Sequence, residues 1–287
     1  MLTLPAPEWR EREAAHQARA DAFSAGWRAR QLSGEKHPVD DFLFTYYPYR
    51  PGLLRRWHPG AGVVLEGAVG DERATYKWYR REGEGLVVDD AGFRAARGAS
   101  IRFIVGLLSA TAARPGQFAC FGLHEWAMVY RARESDGPNP YRHDLPLRLG
   151  QGGTDEVVEQ SRITCSHIDA FRFFTPAAAP LNELTPTREN QPRLEQPGCL
   201  HAGMDVYKWA TKLGPLIPGE LLLDCFELAR DIRELDMRAS PYDLGSGYTP
   251  VRIETTEGRA EYAREQRGFA SRSNALRERV VAAVGLV

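Results

Sequence analysis

The chain has 287 residues, 43% of them hydrophobic, and a net charge of −1. That is enough to bury one large core or two small ones. It excludes the strongly basic field of an obvious nucleic-acid binder, leaving room only for local arginine patches. Four cysteines without CxxC spacing point to reduced thiols rather than a disulfide framework. With no run of eighteen apolar residues and an early charged segment, the sequence predicts neither a membrane span nor a secretory leader, hence a cytoplasmic protein.

In chain order, residues 7–32 read as an exposed, charged helix that begins near Pro7 and stops before Gly34. Phe42, Phe44, Tyr46, Tyr47, Tyr49 and Trp57 then crowd a short window, more aromatics than an amphipathic helix needs. Residues 63–68 and 75–89 read as short strands of a small ribbon, turning at Gly70-Asp71 and at Gly83 to Gly85. An apolar helix is expected over 93–113 and a second over 117–131, interrupted at Gly122. A loop follows at 135–144. Thr154 is expected to cap a helix running to Gln160, and residues 163–174 fit either strand or helix. The proline-rich stretch 175–198 reads as ordered irregular chain, 221–238 as a helix, and 255–284 as a long final helix broken near Gly268. The expected fold is mainly α-helical (α+β): one helical domain over 1–287 with a small antiparallel β element.

The chemistry concentrates in a few places. On a helix, His201, Asp205 and Lys208 fall in one stripe, with Leu200, Met204 and Tyr207 beside it to face the core. Lysine is scarce: of 37 basic residues only Lys36, Lys77, Lys208 and Lys212 are lysines, and two of these sit in identical tripeptides, Tyr76-Lys77-Trp78 and Tyr207-Lys208-Trp209. His124-Glu125-Trp126 forms a second cluster. Cys165-Ser166-His167-Ile168-Asp169-Ala170-Phe171-Arg172 forms a third; as a strand it would point His167, Asp169 and Phe171 one way. The stretch from Thr187 to Gln196 is rich in amides and charges.

Two chemistries fit these residues. His124, Glu125, His167, Asp169, His201 and Asp205 are nitrogen and oxygen donors for a divalent metal, the histidines foremost, although no HExxH appears and the ligands would have to converge from distant segments. Tyr46, Tyr47, Tyr49, Trp57 and Trp78 could instead stack a flat ring, with Arg50, Arg55, Arg56, Arg80 and Arg81 near its phosphates. Gly150-Gln151-Gly152-Gly153-Thr154 could cradle a phosphate. Walker, dinucleotide and nucleophile-elbow motifs are all absent.

Several blocks carry a resemblance. His37-Pro38-Val39-Asp40-Asp41-Phe42-Leu43-Phe44-Thr45-Tyr46-Tyr47, Arg50-Pro51 through Trp57-His58-Pro59-Gly60, His124 through Tyr130, Cys165 through Phe174 and Glu195 through Trp209 resemble a bacterial, mostly actinobacterial-type family labelled 3-methyladenine DNA glycosylase. The resemblance implies hydrolysis of the N-glycosidic bond of alkylated bases in DNA, a base-excision repair activity needing no cofactor. It implies a flipped cationic base stacked on Tyr46, Tyr47, Tyr49, Trp57 and Trp78, with Trp209, His124, Glu125 and Arg172 contacting substrate. Asp205, or else Asp169, would stabilise the oxocarbenium-like sugar, His201 would orient water, and Lys208 would meet a phosphate. The alternative is a metal-dependent enzyme acting on a small nucleotide-like or aromatic substrate.

Overall fold

A computed structural model describes residues 1–132 and 143–285. The fold is mainly α-helical with one small four-stranded sheet, as expected. The loop expected at 135–144 lies, but for its end, outside the described residues. Among the described residues, no helix is long and apolar enough to cross a membrane. The backbone clusters into two compact units. One comprises Met1–Ser109, Val206–Ala229 and Ala275–Val287; the other comprises Ala110–Asp205 and Arg230–Asn274.

In the first unit, α1 (Ala6–Ser33) begins with a proline in its first turn and ends on Gly34 in the left-handed conformation. It is not merely a solvated helix: Trp9, His16, Ala20 and Ser24 form a buried stripe. The sheet has the order β1-β2-β4-β3. Its antiparallel part, β2 (Val63–Glu66), β4 (Gly85–Val88) and β3 (Tyr79–Glu82), is the expected ribbon. The strand β1 (Leu2–Leu4) adds a parallel edge, Leu2 pairing with Val63, which makes the sheet mixed. Residues 72–75 form a 3-10 turn. Trp9 and Trp57 pack with Leu4, Leu65, Ala68 and Leu86, and the Trp9 indole donates to the Glu66 carbonyl at 3.0 Å. Short helices α2 (Phe42–Tyr46) and α3 (Pro51–Leu54) and the first part of α4 (Asp90–Ala112) complete this part of the chain.

The second unit departs more from expectation. Of the helix expected over 117–131, only α5 (Leu123–Ala127) is helical. Phe121 and Gly122, at φ 45° and 72°, turn the chain left-handed just before it. The helix α6 (Gly150–Glu159) starts earlier than expected; the glycine run is its first turn, and Thr154, inside the helix, donates to the Gly150 carbonyl at 2.7 Å instead of capping. Residues 163–167 are irregular and lead into α7 (Ile168–Phe171), so the strand alternation does not apply. The irregular stretch that follows includes α8 (Gln191–Leu194). The unit also takes the start of α9 (Leu200–Leu213), the end of α10 (Gly219–Arg238) and most of α11 (Thr256–Val284), which runs unbroken through Gly268.

Candidate metal centre

The three histidines from three distant segments come together in the second unit. The rings of His124 and His201 stand edge to face at 4.5 Å, and those of His167 and His201 lie 5.5 Å apart. Two buried donor groups adjoin: His124, His201 and Asp236, and His167, Glu195 and Asp205. Within each, the donor atoms lie within 4.8 Å of one another. Asp236 is wholly inaccessible, as is His167. On α9, His201 serves the first group and Asp205, one turn on, serves the second.

Each segment is held in place by its own local chemistry. The chain ahead of His167 is fixed by Asn182, whose amide accepts from the Cys165 N–H at 2.7 Å and donates to the Cys165 carbonyl at 2.9 Å. The Glu195 carbonyl accepts from Arg114 at 2.8 Å. The Gln196 side-chain oxygen accepts from the Gln117 and Gly198 N–H groups, at 2.8 and 2.7 Å. Trp126, beside His124, donates to the Ala239 carbonyl at 2.9 Å and ties α5 to the end of α10. These bonds order an irregular chain that propensity alone would not.

Contacts within the groups are short but badly aimed for hydrogen bonding. His124 Nε2 lies 2.9 Å from Asp236 Oδ1, yet among the described residues neither atom has a partner in hydrogen-bond geometry. His167 Nε2 lies 3.2 Å from Glu195 and 3.4 Å from Asp205, and both its ring nitrogens lack such a partner. Lone pairs set side by side at these distances suit a shared central ion better than one another. Arg233 Nη1 reaches Glu125 at 3.1 Å and Asp236 at 3.3 Å, and its Nη2 lies 3.2 Å from His143 Nε2.

The electrostatics follow from this crowding. Burial would lower the His124 pKa, but the Asp236 and Glu125 carboxylates outweigh it and leave it raised. Burial likewise opposes protonation of His167, and Asp205 and Glu195 still push it up to about 9. His201, desolvated and next to two other imidazoles, is held well below its ordinary value and stays neutral. Burial would raise the Asp236 carboxyl, yet His124 and Arg233 hold it below the usual carboxylate range. Imidazoles and carboxylates are thus crowded together out of water, and a divalent cation can displace the protons such groups hold.

The other candidates are distributed. Asp169 is buried but pairs with Arg188 and, at 3.4 Å, with Arg172, whose guanidinium also stands over Phe173. Lys208 stands over Trp209 at 4.6 Å, and Lys77 over Trp78 at 4.5 Å, so the two identical tripeptides make the same cation–π pair. Trp57 is wholly buried core, and Tyr46 and Tyr47 pack on each other and on Phe42. The single aromatic pocket expected of this set does not form, because burying indole against Leu4 and Leu65 is the stronger drive. Trp78 instead lines a recess of about 440 Å³ in the first unit with Arg56, His58, Tyr76, Lys77 and Tyr79.

Asp236 and Arg233 escaped the sequence reading, and Glu195 entered it only as part of a polar segment. A signal existed: Ala229, Ile232, Arg233 and Asp236 share one face of α10, so two charges occupy a stripe otherwise fit for the core. Compared with protein-family models, curated proteins and solved structures, the chain matches none.

Proposed function

We propose that the protein is a metal-dependent enzyme whose centre is the buried histidine–carboxylate cluster, acting on a small nucleotide-like or aromatic substrate. The observation that carries this reading is the convergence of His124, His167 and His201, with Asp236, Glu195 and Asp205, into two adjoining donor groups. A set of imidazole and carboxylate donors without thiolate suits iron(II), manganese or zinc. Two such groups side by side suit a pair of ions. A bound ion would supply Lewis acidity and a lowered pKa for coordinated water. The chain's own residues do the rest: Arg233 orients Glu125 and Asp236, and Asn182 and Arg114 hold the segments that carry His167 and Glu195.

Excision of an alkylated base, the activity implied by the resemblance, would use Asp205 as the carboxylate beside the sugar; its place in a buried donor group with His167 and Glu195 favours the metal reading.

Elemental analysis of natively purified protein tests it. We expect one to two equivalents of iron, manganese or zinc, falling by at least half in His124→Ala, His167→Ala and Asp236→Asn. Protein that purifies without metal and takes up none on dialysis against these ions overturns the reading. Base release from methylated DNA, abolished in Asp205→Asn, would favour the glycosylase reading instead.

A further inference from the structure

The small cavity bordering the first donor group has a distinct make-up. His124 and His201 form one side of it. Leu123, Ile163 and Leu200, the residues Cys120, Cys165 and Cys199, and the polar Thr164, Ser166 and Gln196 line the rest, and Tyr262 reaches it from α11. At about 20 Å³ it has room for a water molecule or something little larger.

We propose that this cavity is the open ligand position of the His124–His201–Asp236 group, taking one small ligand of one to three atoms (water, hydroxide or a small anion), to which Tyr262 donates its phenolic proton. The inference rests on the metal reading above and adds to it where, and with what partner, an exogenous ligand binds.

The hydroxyl of Tyr262 carries the argument. Tyr262 is wholly buried, and among the described residues its hydroxyl has no hydrogen-bond partner. Leaving a buried phenol unsatisfied is costly, so its presence here calls for a partner in the cavity. Burial pushes its pKa well above the ordinary value, so it remains an O–H donor. The Gln196 oxygen accepts from two backbone N–H groups and the Gln266 nitrogen donates to the Gly198 carbonyl at 2.6 Å and to Cys120 Sγ at 3.2 Å, while Gln266 Oε1, one turn along α11 from Tyr262, likewise has no hydrogen-bond partner among the described residues.

The thiols do not compete for the ion. Neither donor group includes a cysteine. The apolar side chains of Leu123, Ile163 and Leu200 lower the local polarity, which strengthens a hydrogen bond from Tyr262 to a charged ligand. A larger substrate can present only a terminal atom or two here.

Cobalt(II)-loaded protein titrated with azide tests the inference through the visible ligand-field bands of the metal. We expect a saturable spectral change in the wild type. In Tyr262→Phe, cobalt stoichiometry should be unchanged and azide affinity about tenfold weaker. Ile163→Phe, which fills the cavity from a lining position, should keep cobalt and lose the azide response. Cobalt uptake with no azide response, or a Tyr262→Phe variant that binds azide as the wild type does, overturns this inference alone. No cobalt uptake at all overturns the metal reading with it.

Discussion

Arg233 carries a large share of the charge balance around the histidines. It is almost wholly buried and serves Glu125 and Asp236 at once. Removing one partner of a buried ion pair costs more than the pair is worth, because the remaining charge stays desolvated. Arg233→Met should therefore destabilise the protein by about 3–5 kcal/mol in urea unfolding. Adding Glu125→Gln should recover part of that loss; a double variant as unstable as the sum of its singles would contradict the coupling. His58, in the first unit, offers a pH handle. Burial first, then the Arg73, His16 and Arg56 charges, hold its pKa at about 3, and its Nδ1 lies 2.8 Å from the Tyr79 hydroxyl. In the unfolded chain it would protonate near its ordinary value of 6.5. The unfolded state thus binds the extra proton between those values. His58 contributes stability that is complete above pH 6.5 and is lost as the pH falls toward 3, on the order of 5 kcal/mol at most. The stability–pH profile of His58→Gln should be flatter than that of the wild type over this range; equal slopes would refute the assignment.

Glycines at the scale of elements separate two kinds of position. Gly198 sits in the loop between Glu195 and α9, where a Cβ would stand 2.3 Å from the Gln117 carbonyl oxygen. Backbone cannot give way there, so Gly198→Ala should cost about 1–3 kcal/mol in unfolding free energy and lower metal content too. Gly152, within α6, has nothing within 4 Å, and Gly152→Ala should stabilise by about 0.5–1 kcal/mol. The opposite signs are read from one pair of denaturation curves. The same contrast explains what was legible beforehand. Long periodic helices such as α1, α10 and α11 could be read from their caps and apolar spacing, and the α9 stripe put His201 and Asp205 together on one buried face. The chain around α5 and α7 could not, because Phe121 adopts a left-handed φ that no propensity favours, and His167 is placed by Asn182, a residue fifteen positions away. Nor could the pairing of Asp236 with His124 be read, since it depends on tertiary packing between α10 and α5.

At the scale of the molecule, the donors lie within one compact unit, so ion binding should be linked to the folding of that unit. At a free metal concentration of about 100 Kd the linkage adds roughly 2.7 kcal/mol. For a chain of this size that raises Tm by roughly 5–10 °C, a rise that a chelator should reverse in differential scanning calorimetry. An unchanged Tm would argue against a site on the folded state. The order of the donors along the chain adds one more consequence. His124 and Asp236 are separated by about 110 residues, and His167, Glu195, His201 and Asp205 lie between them. A pair of ions gripping them would act as cross-links, fastening six points of the chain and pruning the loops open to the denatured ensemble, as a set of nested disulfides would. A protein whose cysteines are all free would then have its staple in coordination bonds, removable by acid or chelator rather than by a reductant.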